Sequence, residues 1–571
     1  MPEKKSKKLV YILLGVIILL ELLWTGYVFI FEKDGHHSDE IWSYGLANSY
    51  YQPLIYQQAD IPIDDGEEKY YINLHEWVGG DTFRDYVTVQ EGERFAYGSV
   101  WSNQTYDHHP PLYYMLLHTV CSFFPDKFSL GFGFFLNCIF LIVTQIFLFK
   151  TARYIMKDDR LALITCVFYG SAHAALFTFT FIRQYSLLTM LTIMLVYFTA
   201  RLYSERDLKK ALAPILIISF LMFMTHYYGI VLAGALTACM CIYMLAAKQI
   251  TRMLIYGFSM MGCLGLFFAV YPAALTQMFS YVPLHESSFS VSGSFTELLD
   301  LITQMQLGAS AVFLFFAVIA AVLIAVLLNF ISEKEKKARC LRILIPSGAA
   351  GLIPLMIVVM TLVLIFAVIR NTDTSIMGEY SVRYLFCIFP GICIAAVTFI
   401  TKLVRMIPRL SRYALPAVGI ISAAAVIKIN VFGDISAFKF RNYPRDINTA
   451  GMTAGKNCVV ILQEDQVWTM TCYPDSLSGA DKVFVTTEKS LKDDLPKILD
   501  SGIKPDYILG AGIPAAPGEE ERFADMGYKP DSTGICEADP EDIQRLFAGR
   551  SRTLEGHINI LNGYAAVYRL E

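Results

Sequence analysis

Residues 4–49 read KKSKKLVYILLGVIILLELLWTGYVFIFEKDGHHSDEIWSYGLANS: a cluster of lysines, a long apolar run, then a polar stretch holding two adjacent acids. The run from Leu9 to Phe31 is about 23 mainly apolar residues, enough for a helix to cross the roughly 30 Å hydrocarbon core of a bilayer. Lys4, Lys5, Lys7 and Lys8 hold its start in the cytoplasm under the positive-inside rule. The run is too long for a cleaved signal peptide and no small-residue cleavage site follows, so it reads as a signal anchor. Asp39 and Glu40 fall within about ten residues of the point where this helix leaves the bilayer. Carboxylates at such a mouth are costly against lipid and are expected to face water or a protein cavity, which makes them a candidate functional site. The plainer reading is a solvated interfacial turn capping a helix at Ile41.

Composition extends the membrane reading to the whole chain. Of 571 residues, 55% are hydrophobic and 17% charged, where soluble domains are nearer a quarter charged. Uncharged runs recur from end to end, as in a polytopic membrane protein. The net charge of −4 hides small basic clusters, and no extended basic face or binding motif points to nucleic acid. The 12 cysteines lie mostly inside apolar runs, without a CxxC pair or a Cys/His ligand spacing, and read as small core residues.

Residues 32–110 form a long, polar and aromatic first external loop, and loops of this length without a role are uncommon. Beyond it, basic clusters at 151–160, 201–210, 247–252, 333–342 and 401–412 mark cytoplasmic turns. The turns between them, with FIRQY (181–185), THYYG (225–229), a loop near 276–307 and RNTDTSIMGEYSVRY (370–384), go to the face of the first loop. This gives about 11 crossings, with the region after about residue 433 external. Residues 111–149 must then cross an odd number of times, yet Pro125-Asp126-Lys127 divides them into two apolar pieces. The first piece is a re-entrant or interfacial helix, or the true count is 13.

After Val431 the composition becomes that of a soluble domain of roughly 130 residues. CVVILQ, KVFVTT and DYILGAG read as short buried strands, EKSLKDDLPKILDSG as a helix, and INILNGYAAVYRL as a hairpin turning at Asn562-Gly563. GAGIPAAPG lacks the spacing and lysine of a phosphate loop. The expected architecture is a membrane all-α bundle over residues 1–432 followed by an external α/β domain over 433–571.

Folded this way, Asp39, Glu40, His109, Arg183, His226 and Arg383 collect on one membrane face. Each has a plain reading alone: Arg183 as an arginine snorkelling to headgroups, His226 as a satisfied interfacial histidine. Together they oppose an acidic pair to cationic groups, which suits transfer from a lipid-linked phosphate donor. A carboxylate takes the proton of an acceptor hydroxyl while arginine and histidine donors hold the leaving phosphate. A donor already in the membrane needs no nucleotide site.

The order of features resembles the GT-C superfamily of membrane glycosyltransferases, notably the protein O-mannosyltransferase and aminoarabinose (lipid A) transferase branch. The motifs are the external acidic pair in SDEIWSYGLANS, the stretch His109-Pro110-Pro111-Leu112-Tyr113-Tyr114, and, more loosely, Arg183-Gln184-Tyr185 and Arg383-Tyr384. The resemblance covers roughly residues 9–432. It implies a GT-C-type bundle in the plasma membrane, a polyprenyl-phosphate-linked sugar donor, and an envelope glycan, lipid or protein acceptor, with no cofactor. It implies Asp39 as catalytic base, with Glu40 supporting it or binding acceptor. His109 falls where relatives line the donor phosphate, Arg183 and Arg383 are further phosphate candidates, and Tyr113 and Tyr384 join the substrate-binding set; His226 has no assigned family counterpart and joins that set from its place on the same face. His109 stands where the aminoarabinose branch has lysine, so donor identity is not inherited.

His36, His37, Asp39, Glu40, Asp107, His108 and His109 offer a competing use as ligands of a divalent cation. Oligosaccharyltransferases of the superfamily use one, but HHSDE matches no standard zinc spacing and the resembled branch implies none. A transporter or flippase of lipid-linked substrates predicts repeats and midplane charges, and a silent envelope scaffold predicts no acidic pair.

Overall fold

The computed structural model describes residues 2–33, 36–55, 74–204, 207–280, 349–371, 378–406, 419, 449–511, 539–547, 549–560 and 563–571. Its contacts divide the chain into two units, Met1–Phe29 with Phe134–Phe438, and Ile30–Gly133 with Lys439–Glu571. In chain order come α1 (Pro2–Tyr27), α2 (Ser38–Asn48), β1 (Trp77–Gly79), α3 (Asp81–Val87), α4 (Tyr97–Tyr106) and α5 (Leu112–Cys121). Then follow α6 (Leu130–Met156), α7 (Asp159–Gly170), α8 (His173–Thr180), α9 (Tyr185–Ser204), α10 (Leu208–Phe223), α11 (Tyr228–Ala246), α12 (Ile250–Val270) and α13 (Ala273–Ser280). After α14 (Ala349–Asn371) and α15 (Phe389–Met406) come α16 (Thr449–Thr453), β2 (Asn457–Leu462), α17 (Pro474–Leu477), β3 (Lys482–Thr487) and α18 (Leu491–Leu499). The chain closes with β4 (Tyr507–Ala511), α19 (Pro540–Phe547), β5 (Arg552–Ile560) and β6 (Gly563–Leu570).

The first unit is a helical bundle. Among the described residues seven helices are long and apolar enough to cross a membrane, and the pair α7–α8, bent by 61°, is either a broken eighth span or a re-entrant loop. The protein is a multi-pass membrane protein. The 11 to 13 crossings expected from the sequence include apolar stretches in residues 281–348 and 407–448, which, residue 419 apart, lie outside the described residues. The ambiguous stretch 111–149 holds one spanning helix: α5 has 10 residues and extends about 15 Å, whereas α6 has 27 and extends about 40 Å. α9 packs against α10, α11, α14 and α15, while α1 lies on α7 and presents most of its surface outward. Asn137 of α6 fixes the break between α8 and α9: its amide donates to the carbonyls of Phe179 (3.1 Å) and Phe181 (3.0 Å) and accepts from Ser186 (2.6 Å). Freed backbone groups in a membrane helix need such partners.

The second unit is built on a six-stranded sheet of order β1-β3-β2-β4-β6-β5. β3, β2 and β4 are parallel, and β1, β6 and β5 add antiparallel partners at the flanks. β2 and β3 are buried along all but their first residue; α18 and α19 cover the face of Val459, Ile461 and Phe484 with Leu491, Leu495, Ile498, Ile543 and Leu546. The strands expected from CVVILQ, KVFVTT and DYILGAG are all present. The pairing of Ile560 with Gly563 sets the hairpin register and makes Gly563 the first residue of β6 rather than part of the turn. β1, at the other edge, comes from the long first loop.

Candidate functional site

In the second unit the acidic pair opens α2. His37 is the N-cap, its Nδ1 accepting from the Asp39 amide at 3.1 Å, and Glu40 reaches back to the His37 amide at 2.9 Å. This reciprocal capping satisfies amide groups left over at a helix start. The helix therefore begins at Ser38, ahead of the Ile41 start that the sequence suggests. Glu40 is fully buried, and its other oxygen receives Lys33 Nζ at 2.5 Å. Asp39 differs: its side chain keeps 15% exposure. The two adjacent acids thus differ in environment: Glu40 is fully enclosed beside Lys33, whereas Asp39 keeps partial solvent access, with His37 Nδ1 3.7 Å from its carboxylate.

α2 is held by packing on every side. Tyr44 donates to the Ser129 carbonyl (2.7 Å) and accepts from the Gly133 amide (2.9 Å). Asn103 of α4 donates to the Ser49 carbonyl at 2.9 Å, and α5 packs along the same helix. The loop from α4 to α5 carries His109, whose Nδ1 lies 2.9 Å from the buried Asp107 carboxylate. That contact orients the imidazole and turns its Nε2 edge away from Asp107. His108 is pushed below the ordinary histidine value by partial desolvation of its ring, with Asp107 opposing and His109 adding to the shift. Tyr113, the second residue of α5, is buried with its ring edge-on to Tyr114 at 5.7 Å. Among the described residues no three His, Cys, Asp or Glu side chains gather as a metal-holding set, and His36, His37, Asp39, Glu40, Asp107, His108 and His109 are all described.

In the first unit, Arg183 lies in the break between α8 and α9 and is 4% exposed, so it faces protein rather than lipid headgroups. Arg383, equally buried, sits in a 3₁₀ segment, Gly378–Ile388. Its Nε donates to Tyr185 Oη at 3.3 Å, its Nη2 to Tyr384 Oη at 3.4 Å, and its guanidinium lies 5.0 Å from the Tyr384 ring centre. His226 stacks on Tyr228 (5.0 Å) and borders Tyr185 (5.7 Å) and Tyr384 (6.4 Å). Its Nδ1 accepts from the Tyr228 amide at 3.1 Å, which places the proton of the neutral ring on Nε2. His226 and the Arg383-Tyr384 pair, singled out separately in the sequence, therefore meet around Tyr185 and Tyr228.

Sequence reasoning missed Lys33 as the partner of Glu40, Asp107 as the orienting group of His109, Asn137 at the α8–α9 break, and Tyr185 and Tyr228 as the frame of Arg383. Tyr185 stood in the quoted Arg183-Gln184-Tyr185. Lys33 carried no signal, because it lies seven residues before Glu40 and outside α2, where helical spacing does not apply.

No family model and no curated protein matches the chain. Among solved structures it is similar to ArnT from Cupriavidus metallidurans in the apo state, 11% identical over 92% of this chain and 95% of that one, with a TM-score of 0.45. The same protein bound to undecaprenyl phosphate is 10% identical over 93% and 96% of the two chains, again at 0.45. The archaeal oligosaccharyltransferase AglB from Archaeoglobus fulgidus, in complex with an inhibitory peptide and a dolichol-phosphate, is 10% identical over 97% of this chain and 74% of that one, at 0.40. ArnT, an aminoarabinose transferase, and AglB are both members of the GT-C superfamily.

Proposed function

We propose that the protein is an inverting, metal-independent glycosyltransferase of the plasma membrane, moving a sugar from a polyprenyl phosphate to an acceptor hydroxyl on the external face. The observation that carries this reading is the division of the acidic pair: Glu40 is enclosed by Lys33 and the His37 amide, while Asp39 keeps solvent access at the head of the same helix. A carboxylate that keeps partial solvent access on a firmly packed helix can meet an acceptor hydroxyl, whereas a fully enclosed one cannot. Asp39 takes the proton of the acceptor hydroxyl as its oxygen bonds to the anomeric carbon. The bond from that carbon to the phosphate oxygen breaks, and its electron pair leaves with the polyprenyl phosphate. Glu40 acts on the reaction by holding α2.

His109, oriented by Asp107, is the reading's donor on the phosphate from the first loop, with Tyr113 beside it. Arg383, Arg183, His226 and Tyr384 are its phosphate- and substrate-binding groups from the bundle. Arginine forks and imidazole N–H donors match phosphate oxygens and the charge that develops on them. The acceptor is an envelope glycan, lipid or protein hydroxyl.

The test is transfer in proteoliposomes from a panel of labelled polyprenyl-phosphate sugars to a polyhydroxylated acceptor, with the anomeric configuration of the product read by NMR. Product of inverted configuration is expected. Retained configuration refutes the single-displacement mechanism, and donor crossing the bilayer without product favours a transporter.

A further inference from the structure

The helix that carries Asp39 is reached from the C-terminal domain by a continuous series of contacts within the second unit. Trp77, Val78 and Gly79 of the first loop pair with Phe484, Val483 and Lys482 of β3, adding an antiparallel strand to the sheet edge. Trp77 sets its ring edge-on to Phe484 at 5.5 Å, packed partly buried against the domain's core. Just before the strand, His75 donates its amide to the Val485 carbonyl (2.8 Å) and brings Nδ1 to 2.6 Å from Asp494. That buried carboxylate also accepts from Thr486 (2.7 Å) and Lys497 (2.8 Å).

Gly80 then ends the strand against backbone. A Cβ there would lie 2.8 Å from both the Ala480 nitrogen and the Leu477 oxygen, so a side chain would push α3 off α17. α3 in turn abuts α2: the Tyr86 ring occupies the space a Cβ on Gly45 would need, and Asn48 donates to the Val87 carbonyl at 2.8 Å. The 3₁₀ segment Glu464–Cys472, which follows β2, packs on α2 directly.

We propose that the C-terminal domain is a positioning element of the transferase, setting the place of α2, and with it Asp39, through β1, Gly80 and α3. The proposal rests on the transferase reading above. Gly80, Trp77 and Tyr86 are positioning residues, since none of them is assigned a contact with substrate. On this account β1 stays docked throughout turnover and does not act as a lid.

The experiment uses the full chain in liposomes. In a Val78→Cys/Val483→Cys variant the new thiols face each other across β1 and β3, where directly opposed Cα atoms are about 4.5–5.5 Å apart and within disulfide reach. The cross-link is expected to form in most chains, and the oxidised protein to transfer sugar within about twofold of the reduced one. In Gly80→Ala, kcat is expected to fall by about tenfold or more with donor KM within about twofold. The amides of Ser38–Asn48 are expected to exchange with solvent at least about tenfold faster in that variant.

Activity lost on oxidation and recovered on reduction would make β1 a lid and overturn the proposal. So would failure of the cross-link to form, or unchanged exchange of α2 in Gly80→Ala. Cross-linking and exchange need no sugar donor. A chain that transfers nothing therefore counts against the transferase reading, while these two measurements still decide the positioning.

Discussion

Replacing Lys33 by methionine keeps the length of the side chain and removes its ammonium group. In the native protein that group sits 2.5 Å from Glu40, with side-chain exposures of 4% and 0%. Removing one member of a buried ion pair leaves an uncompensated charge and costs about 3–5 kcal/mol. The lower end applies, because the His37 amide still donates to Glu40 at 2.9 Å. A cost of about 3 kcal/mol corresponds to a factor of roughly 150 in a local opening equilibrium. Cys121 reports that opening, being 1% exposed on α5, which packs along α2. Its labelling by a soluble thiol reagent, followed peptide by peptide in detergent at neutral pH, should accelerate about 100-fold in Lys33→Met. Adding Glu40→Gln removes the stranded charge and keeps an acceptor for the His37 amide, and should restore most of the protection. Sugar transfer should follow the same order: low in the single variant and largely recovered in the double. Labelling of Lys33→Met at the wild-type rate, with no response to Glu40→Gln, would refute the reasoning that Glu40 anchors α2 through a buried charge pair.

Further outcomes follow from the other contacts. Arg383→Lys keeps the charge but loses the fork held by Tyr185 and Tyr384, and should raise donor KM about tenfold or more, with Tyr185→Phe showing a smaller rise in the same direction. Asp107→Asn should lower kcat/KM about tenfold by loosening His109, with Cys121 protection as in wild type. Acid should unlatch β1: burial alone would push Asp494 up, but hydrogen bonds from Lys497, Thr486 and His75 outweigh it and hold the carboxyl below its ordinary 3.8. A depressed carboxylate stabilises the fold above its unfolded value and loses that contribution as pH falls below 3.8 and through the folded value, so hydrogen exchange at β1 should rise in that window and lose this pH step in Asp494→Asn.

Much of this architecture is legible in the sequence because it rests on local pattern. The run Leu9–Phe31 predicts a spanning helix, and the structure has one from Lys8 to Glu32. The buried strands of the C-terminal domain were legible for the same reason, since parallel strands covered on both faces read as continuous apolar runs. What stayed hidden depends on partners distant in sequence. WVG is too short to read as a strand and becomes one because β3 offers an unpaired edge more than 400 residues away, as with the His75–Asp494 contact at a separation of 419. Pro125-Asp126-Lys127 left residues 111–149 ambiguous because an apolar run of ten residues looks the same at an interface as at the start of a span; α5 belongs with the first loop in the second unit. The acidic pair was visible as a unit, but the different environments of its two carboxylates were not. That difference comes from Lys33 and a capping geometry that spacing alone does not encode.

Asp39 as general base is tested by sugar transfer from a labelled polyprenyl-phosphate donor in reconstituted membranes, comparing wild type with Asp39→Asn, each with and without EDTA. Wild type should give product despite the chelator, with a loss of about a hundredfold or more in Asp39→Asn and undiminished donor binding in that variant. Full activity in Asp39→Asn would contradict the assignment of the base, and abolition by EDTA would make the carboxylates metal ligands instead.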